Sequence, residues 1–334
     1  MASDASSLQP GRDYPSDWVE FVDWFPDEAA CLHFLENLRW PHGFSCPYCR
    51  RTAPAYTATR GRRICRSCRR QSSVTRGTIF DKTRTPLRSW FAAVWYITNQ
   101  KYGCSALGLQ RVLGLGSYQT AWTMLHRLRR AMARAGRERL TGTIEVDETF
   151  VGGERKGKNT PRKGSYNGPI PRTAKSVVVV AVEVHEPKGF GRVRLGRVDR
   201  KDREHVMPFV LDTIKPGSRV ITDGSWAYRS LPEHGYHRQT SNFSASEDPA
   251  HVVMPGVHRV SALVKRWLLG TDQGSIKPDQ LDHYLDEFTS RFNRRSSRSR
   301  GLLFYRLLEQ AIETEPVPHT KTPTLWLTEA TGAG

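Results

Sequence analysis

Nothing in this sequence reaches the roughly 18 consecutive apolar residues that a membrane-crossing helix requires. The longest candidate, Val177 to Val184, is interrupted by Glu183. The first 17 residues are polar and mixed in charge, without the apolar centre of an export signal. No internal repeat is present, which sets aside solenoids and propellers. Acidic residues are scarce: 33 Asp and Glu stand against 51 Lys and Arg, a net charge of +18. That balance suits a polyanionic partner, because each neutralised phosphate releases condensed counterions. A ribosomal or membrane-surface role would also use such charge, but here the basic residues cluster inside motif-bearing segments. Cysteines number six, and four of them form two C-x2-C pairs. Without an export signal, that pattern reads as metal ligation in a reducing cytoplasm rather than as disulfides.

A chain of 334 residues exceeds one typical domain. Residues 1–40 read as a loose tail followed by a short helical segment, in which Asp27 caps the pattern Ala30, Phe34, Leu38. Residues 41–80 hold the paired cysteines, and residues 84–138 carry helical periodicity from Leu87, Trp90, Phe91, Val94, Trp95 and Ile97 onward. From 141 to 312 the pattern becomes α/β. Strands are expected over 143–151, 175–185, 192–198 and 219–222, and helices near 203–213, 257–268 and 278–291. The Pro- and Thr-rich residues 313–334 read as a flexible tail.

Cys46-Pro47-Tyr48-Cys49 and Cys65-Arg66-Ser67-Cys68 are separated by 15 residues. Each pair bends the backbone into a knuckle, and two knuckles at this distance complete a four-thiolate zinc site, closed and structural. Arg60, Arg62, Arg63, Arg66, Arg69 and Arg70 surround the second knuckle, a density that fits phosphate contact. Cys31 and Cys104 lack partners at ligand spacing and read as ordinary thiols.

Residues 105–113 and 117–135 form two helical segments joined by a glycine-rich turn, with Ser117 as N-cap. The second carries Arg127, Arg129, Arg130 and Arg134. A helix-turn-helix would seat that helix in a DNA groove, with Arg127 and Arg130 as contacts. An αα-hairpin buried in a core gives the same periodicity, and both readings stay open here.

The strand Thr143 to Phe150 places acids among apolar residues. Alternation puts Ile144, Val146 and Glu148 on one face and Glu145, Asp147 and Thr149 on the other. Asp223 follows the short strand Val220-Ile221-Thr222. Buried acids need a cation or partner, and two aspartates at strand positions suit the hard-oxygen site of Mg2+ or Mn2+. Taken singly, Asp223 also suits a turn.

With these pieces in line, the chain resembles the zinc-ribbon, DDE-type bacterial transposases of the insertion sequence 1595 family. The likeness runs from about residue 20 to 312 and rests on the ribbon cysteines, SALGLQRVLG, IEVDETFVGG, TDGSWAY, KRWLLGT and YLDEFTSRFNRR. It implies an RNase H-like catalytic domain, a mixed sheet flanked by helices, with acids on the first strand, at the end of the fourth and on a later helix. Asp147 and Asp223 match the first two. The family's third position, seven residues before the lysine of its LLKR motif, is an acid or Asn; here the lysine is Lys265 and the third position holds His258. An imidazole there would ligate a softer ion such as Mn2+, act as a base, or mark a lost acid. Glu247 and Asp248 are the reserve candidates.

The resemblance further implies two divalent ions bridged by Asp147 and completed by Asp223 and His258, with Lys265 holding a phosphate. The loop 152–175, with seven Lys or Arg including Lys156 and Lys158, would track DNA, and Arg291, Arg294 and Arg295 would add backbone contacts. Partners would be transposon ends and target DNA, bound by a homodimer or higher synaptic oligomer in the bacterial cytoplasm, at the nucleoid. Two rival functions share these motifs: an RNase H-like nuclease or resolvase, and a non-catalytic DNA-binding protein derived from a transposase.

Overall fold

The computed structural model describes residues 8–316, apart from 53, 134–136, 153–174, 186, 188, 242–252, 273–275 and 277. Lys156, Lys158 and most of their loop, Glu247, Asp248 and the tail from 317 lie outside the described residues. The described chain divides into two compact units, one comprising the residues up to Ala133 together with those from Ser296, the other running from Arg137 to Arg295.

The first unit opens with α1 (Trp18–Trp24) and α2 (Glu28–Arg39). Asp17 accepts the amides of Val19 and Glu20, and Asp27 accepts that of Ala30, so both helices start on aspartate caps. A three-stranded antiparallel sheet follows: β1 (Ala55–Ala58), β2 (Arg62–Cys65) and β3 (Gln71–Ser72). Then come α3 (Leu87–Asn99), α4 (Ala106–Leu113) and α5 (Tyr118–Met132). Residues before 40 are more than a tail, because Tyr14, Phe21, Phe25 and Leu35 are buried.

The α/β pattern was expected to run to 312, and the second compact unit ends at Arg295. The C-terminal helix, Arg300–Glu313, belongs to the first unit, where it buries Phe304, Leu307, Leu308 and Ala311 beside α1 to α3. Phe304 meets Phe21 edge-on, with ring centroids 5.5 Å apart, and packs on Phe25, Phe91 and Trp95. Burying those aromatics outweighs adjacency in sequence.

The second unit contains β4 (Thr143–Val151), β5 (Ser176–Val184), β6 (Phe190–Val198), α6 (Arg203–Thr213), β7 (Arg219–Thr222), β8 (His237–Thr240), α7 (Pro255–Asp272) and α8 (Leu281–Asn293). The sheet order is β6-β5-β4-β7-β8. The first three strands pair antiparallel, while β7 runs parallel to β4 and β8 parallel to β7. This is the RNase H-like arrangement. Alternate residues of β5 enter two cores: Val177, Val179 and Ala181 on the α6 side, Val178, Val180 and Val182 on the α7 and α8 side. Burial on both faces explains why this strand reads as a nearly continuous valine run. Among the described residues no helix is long and apolar enough to cross a membrane.

Candidate active site and zinc ribbon

β4 and β7 stay in parallel register through Val146 and Thr222, the last pair of that ladder. The residue after each of these is an aspartate, so Asp147, still on β4, and Asp223, just past the end of β7, stand side by side. A crevice at the carboxyl end of parallel strands is where open α/β sheets place their chemistry. Asp147, Glu148 and Asp223 each bring a carboxylate oxygen within 4.8 Å of the others.

Glu148 lies on the face opposite Asp147, as alternation requires, and reaches the cluster from the α6 side. Its side chain is 0% exposed. One oxygen accepts the Tyr228 hydroxyl at 2.5 Å, and the other meets the Lys201 ammonium at 2.6 Å. Lys201 also stands 3.7 Å from Asp223 Oδ2. Asp223 Oδ1 accepts the Ser225 amide at 3.0 Å, and Ser225 starts the short turn that carries Tyr228. The TDGSWAY segment thus supplies both one acid and the hydroxyl that orients another.

Burial pushes the Asp147 carboxyl up to about 6; the Glu148 amide works against this, and the neighbouring Glu148 and Asp223 charges add to it. Burial opposes the charge on Lys201, but Glu148 and the two aspartates prevail and hold its pKa above the ordinary lysine value. Burial also raises the Tyr228 phenol well above its usual range, with Glu148 adding to the effect, so it stays a donor. A dense oxygen set with one buried carboxylate suits a hard divalent cation such as Mg2+ or Mn2+.

Sequence reasoning named Asp147 and Asp223 but missed Glu148, Lys201 and Tyr228. Adjacency to Asp147 was the available signal for Glu148. Nothing in the polar turn Arg200-Lys201-Asp202 singles out its lysine.

His258 is half-buried on α7 and is outside the three-residue convergence. The start of its helix is fixed by Glu145, whose Oε2 accepts the Val257 amide at 2.9 Å. Burial raises the Glu145 carboxyl, with the Val257 and Gly256 amides working against it. A Cβ on Gly256 would stand 2.9 Å from Glu145 Oε2, so glycine permits this close approach of helix to sheet. Lys265 is exposed two turns along α7, while Val260 and Val264 face the core.

In the first unit the four ribbon cysteines converge within 4.8 Å. Sγ atoms are 3.6 Å apart for Cys46 and Cys68, and 3.7 Å for Cys49 and Cys65. Thiolates about 2.3 Å from a tetrahedral zinc would be about 3.8 Å apart, so the set fits that ion. Both knuckles repeat one backbone pattern. Arg50 donates to the Cys46 carbonyl and Arg69 to the Cys65 carbonyl, each at 2.9 Å, with φ of 56° and 60°. Backbone amides of Cys68 and Ser67 help bring the Cys65 thiol down to about 6, favouring the thiolate.

Arg62, Arg66 and Arg69 are exposed; the guanidinium groups of Arg66 and Arg69 lie over the Tyr56 ring, at 4.7 and 5.9 Å. Arg63 is held instead by Glu36, at 2.9 and 2.5 Å, and by Thr57. On α5, Arg127 donates to the Ile79 and Asp81 carbonyls, and Arg129, only 1% exposed, donates to Cys104. Arg130 is half-buried. With Ala121, Leu125, Leu128 and Ala131 also buried, α5 is enclosed on several faces and packs as a core hairpin with α4. Its exposed end is Tyr118 and Gln119. Arg291 and, just past the end of α8, Arg294 likewise bind Glu287 and Ser290 of that helix, and Arg295 binds the Phe190 and Gly191 carbonyls.

Residues 139–293 match the ISXO2-like transposase domain and residues 26–71 the transposase zinc-ribbon domain. An uncharacterised protein in the transposable element ISH50 of Halobacterium salinarum is 27% identical over 279 residues, spanning 81% of this chain and 92% of that protein. Among solved structures, the Mos1 transposase paired-end complex with left transposon end covers 67% of this chain and 75% of its own, at 11% identity and a TM-score of 0.28. The pre-cleavage Mos1 transpososome covers the same shares at 10% identity and a TM-score of 0.25. Those two likenesses are slight, and the strand order carries the fold assignment without them. The chain thus carries, in order, the transposase zinc-ribbon domain and the ISXO2-like transposase domain of the insertion sequence 1595 family.

Proposed function

We propose that this protein cuts DNA at the ends of an insertion sequence and joins those ends to a target. The observation that carries the reading is the meeting of Asp147, Glu148 and Asp223 where β4 and β7 part, inside a transposase-type domain. Asp147 and Asp223 would hold Mg2+ or Mn2+, with Glu148 beside them, and His258 on α7 would serve as a further ligand or as a base. A divalent ion bound there supplies positive charge to the phosphodiester and lowers the pKa of bound water. The chain's own part is to hold the carboxylates in place: Tyr228 orients Glu148, Ser225 orients Asp223, and Glu145 fixes the helix that bears His258 and Lys265.

DNA contact falls to the ribbon, where Arg62, Arg66 and Arg69 are exposed, to Lys156 and Lys158, and to the exposed start of α5. Zinc held by Cys46, Cys49, Cys65 and Cys68 shapes that surface. Strand transfer needs two ends brought together, so a dimer or larger synaptic assembly is part of the proposal.

The test is incubation of the purified protein with element-end duplex and target DNA in Mg2+ or Mn2+, alongside Asp147→Ala and Asp223→Ala. Cleaved ends and joined products from the wild type alone support the proposal. Cleavage without joining leaves a nuclease, and specific binding without either product leaves a DNA-binding protein.

A further inference from the structure

The Lys201 ammonium already stands as a cation against two carboxylates of the acidic cluster. It lies 2.6 Å from Glu148 Oε2 and 3.7 Å from Asp223 Oδ2. Glu148 has nowhere else to turn, since its side chain is fully buried and its other oxygen receives Tyr228. The lysine is anchored at its base: the next residue, Asp202, caps α6 through the His205 amide at 3.2 Å. The side chain as a whole is 39% exposed, which leaves it room to swing outward without disturbing the core.

We propose that Lys201 is a resident counter-cation that competes with the divalent ion and leaves the cluster when a DNA phosphate takes its ammonium. The proposal rests on the reading of the cluster as a metal site. In the DNA-free protein an ammonium sits against two of the three candidate carboxylates, repelling an incoming cation and occupying its ligands. An arriving phosphodiester is the anion that can accept the ammonium, leaving Glu148 and Asp223 to the metal. Metal and DNA therefore bind cooperatively, and linkage makes the effect reciprocal: each ligand tightens the other by the same factor. Lys201 is a positioning residue in this scheme, and it keeps the site low in metal until substrate is present.

Binding of Mn2+ to the full-length, zinc-loaded protein without DNA, followed by electron paramagnetic resonance, reads the competition directly and needs no turnover. Lys201→Met and Lys201→Gln are expected to tighten Mn2+ binding about tenfold, the effect of removing one cation a few ångströms from the ion. Lys201→Arg should stay near wild type. A second reading measures element-end DNA affinity with and without Ca2+: the ion should tighten DNA binding in wild type and much less in Lys201→Met. Unchanged or weakened Mn2+ binding in both neutral variants overturns the proposal. Asp147→Asn separates the two levels, because Mn2+ binding insensitive to that change would overturn the metal-site reading itself.

Discussion

Asn293 acts as a strand partner for Val193. Its side-chain Oδ1 accepts the Val193 amide at 2.7 Å, and its Nδ2 donates to the Val193 carbonyl at 3.1 Å. Val193 lies on β6, an edge strand of the five-stranded sheet, where backbone groups would otherwise be left as a template for another chain. Arg295 extends the closure by donating to Gly191 and Phe190. The YLDEFTSRFNRR segment, expected to meet DNA, thus seals the sheet with its last residues.

Asn293→Ala should cost about 2 kcal/mol, because Val193 is buried and both of its outward groups lose their partner. In a unit of this size that is a fall of about 4–8 °C in the melting temperature of the transition that includes the sheet. Calorimetry on the variant checks this, and a change below about 1 °C would mean that solvent replaces the amide without cost.

What the sequence showed and hid follows from where each signal resides. β5 was legible because its valines are buried on both faces, whereas β8, His237-Arg238-Gln239-Thr240, has no apolar residue to mark it. Asp147 and Asp223 were legible as acids at strand positions, but their adjacency depends on the β4–β7 register, which pairs residues 76 apart. Lys201 comes from a polar turn with no local pattern. A count of arginines along α5 does not show that Arg127 and Arg129 turn inward to carbonyls, so the helix-turn-helix pattern was ambiguous for a physical reason.

The same distinction divides the ribbon arginines. Arg69 holds a left-handed φ of 60°, which costs an L-residue about 1–2 kcal/mol, and its guanidinium stays exposed over Tyr56. Arg69→Gly should therefore keep its zinc and its stability while weakening DNA binding at least about threefold and lowering the salt slope by about 1. Arg63→Ala, which breaks the bond to Glu36, should lose about 1 kcal/mol of stability with little change in DNA affinity. Zinc analysis, melting and salt-dependent fluorescence anisotropy decide the matter, and equal DNA losses in the two variants would refute the division.

Two glycines of α7 should respond in opposite directions. Gly256→Ala places a methyl 2.9 Å from Glu145 Oε2 and 3.3 Å from Phe190 and Val182, so the helix start must lift from the sheet at a cost of about 1–3 kcal/mol. Gly270 has nothing within 4 Å of an added Cβ, and Gly270→Ala should stabilise by about 0.5–1 kcal/mol through helix propensity. If α7 carries His258 and Lys265 into the reaction, Gly256→Ala also slows cleavage while Gly270→Ala leaves the rate unchanged. Paired denaturant titrations and single-turnover rates measure both effects.

Asp147 should make the metal-free protein less stable as pH rises. Burial lifts its folded pKa to about 6, whereas the unfolded chain releases the proton near 3.9. A carboxyl with a raised folded pKa contributes stability that is fully present below about pH 4 and is lost as pH climbs through about 6. The shift of roughly two units corresponds to about 2 kcal/mol after allowance for partial exposure. Asp147→Asn, which carries no charge at any pH, should therefore be more stable than wild type by about that amount at pH 8 and nearly equal to it at about pH 3.5. Added Mn2+ should narrow the pH 8 gap by stabilising only the wild type, since the ion favours the ionised carboxylate. The same proton competes with the metal, so the Mn2+ affinity of the wild type should fall as pH drops below about 6. Urea titrations of both proteins at the two pH values, with chelator and with Mn2+, test the argument; an Asn variant less stable than wild type at pH 8 without metal would show that ionised Asp147 is held by partners stronger than its burial.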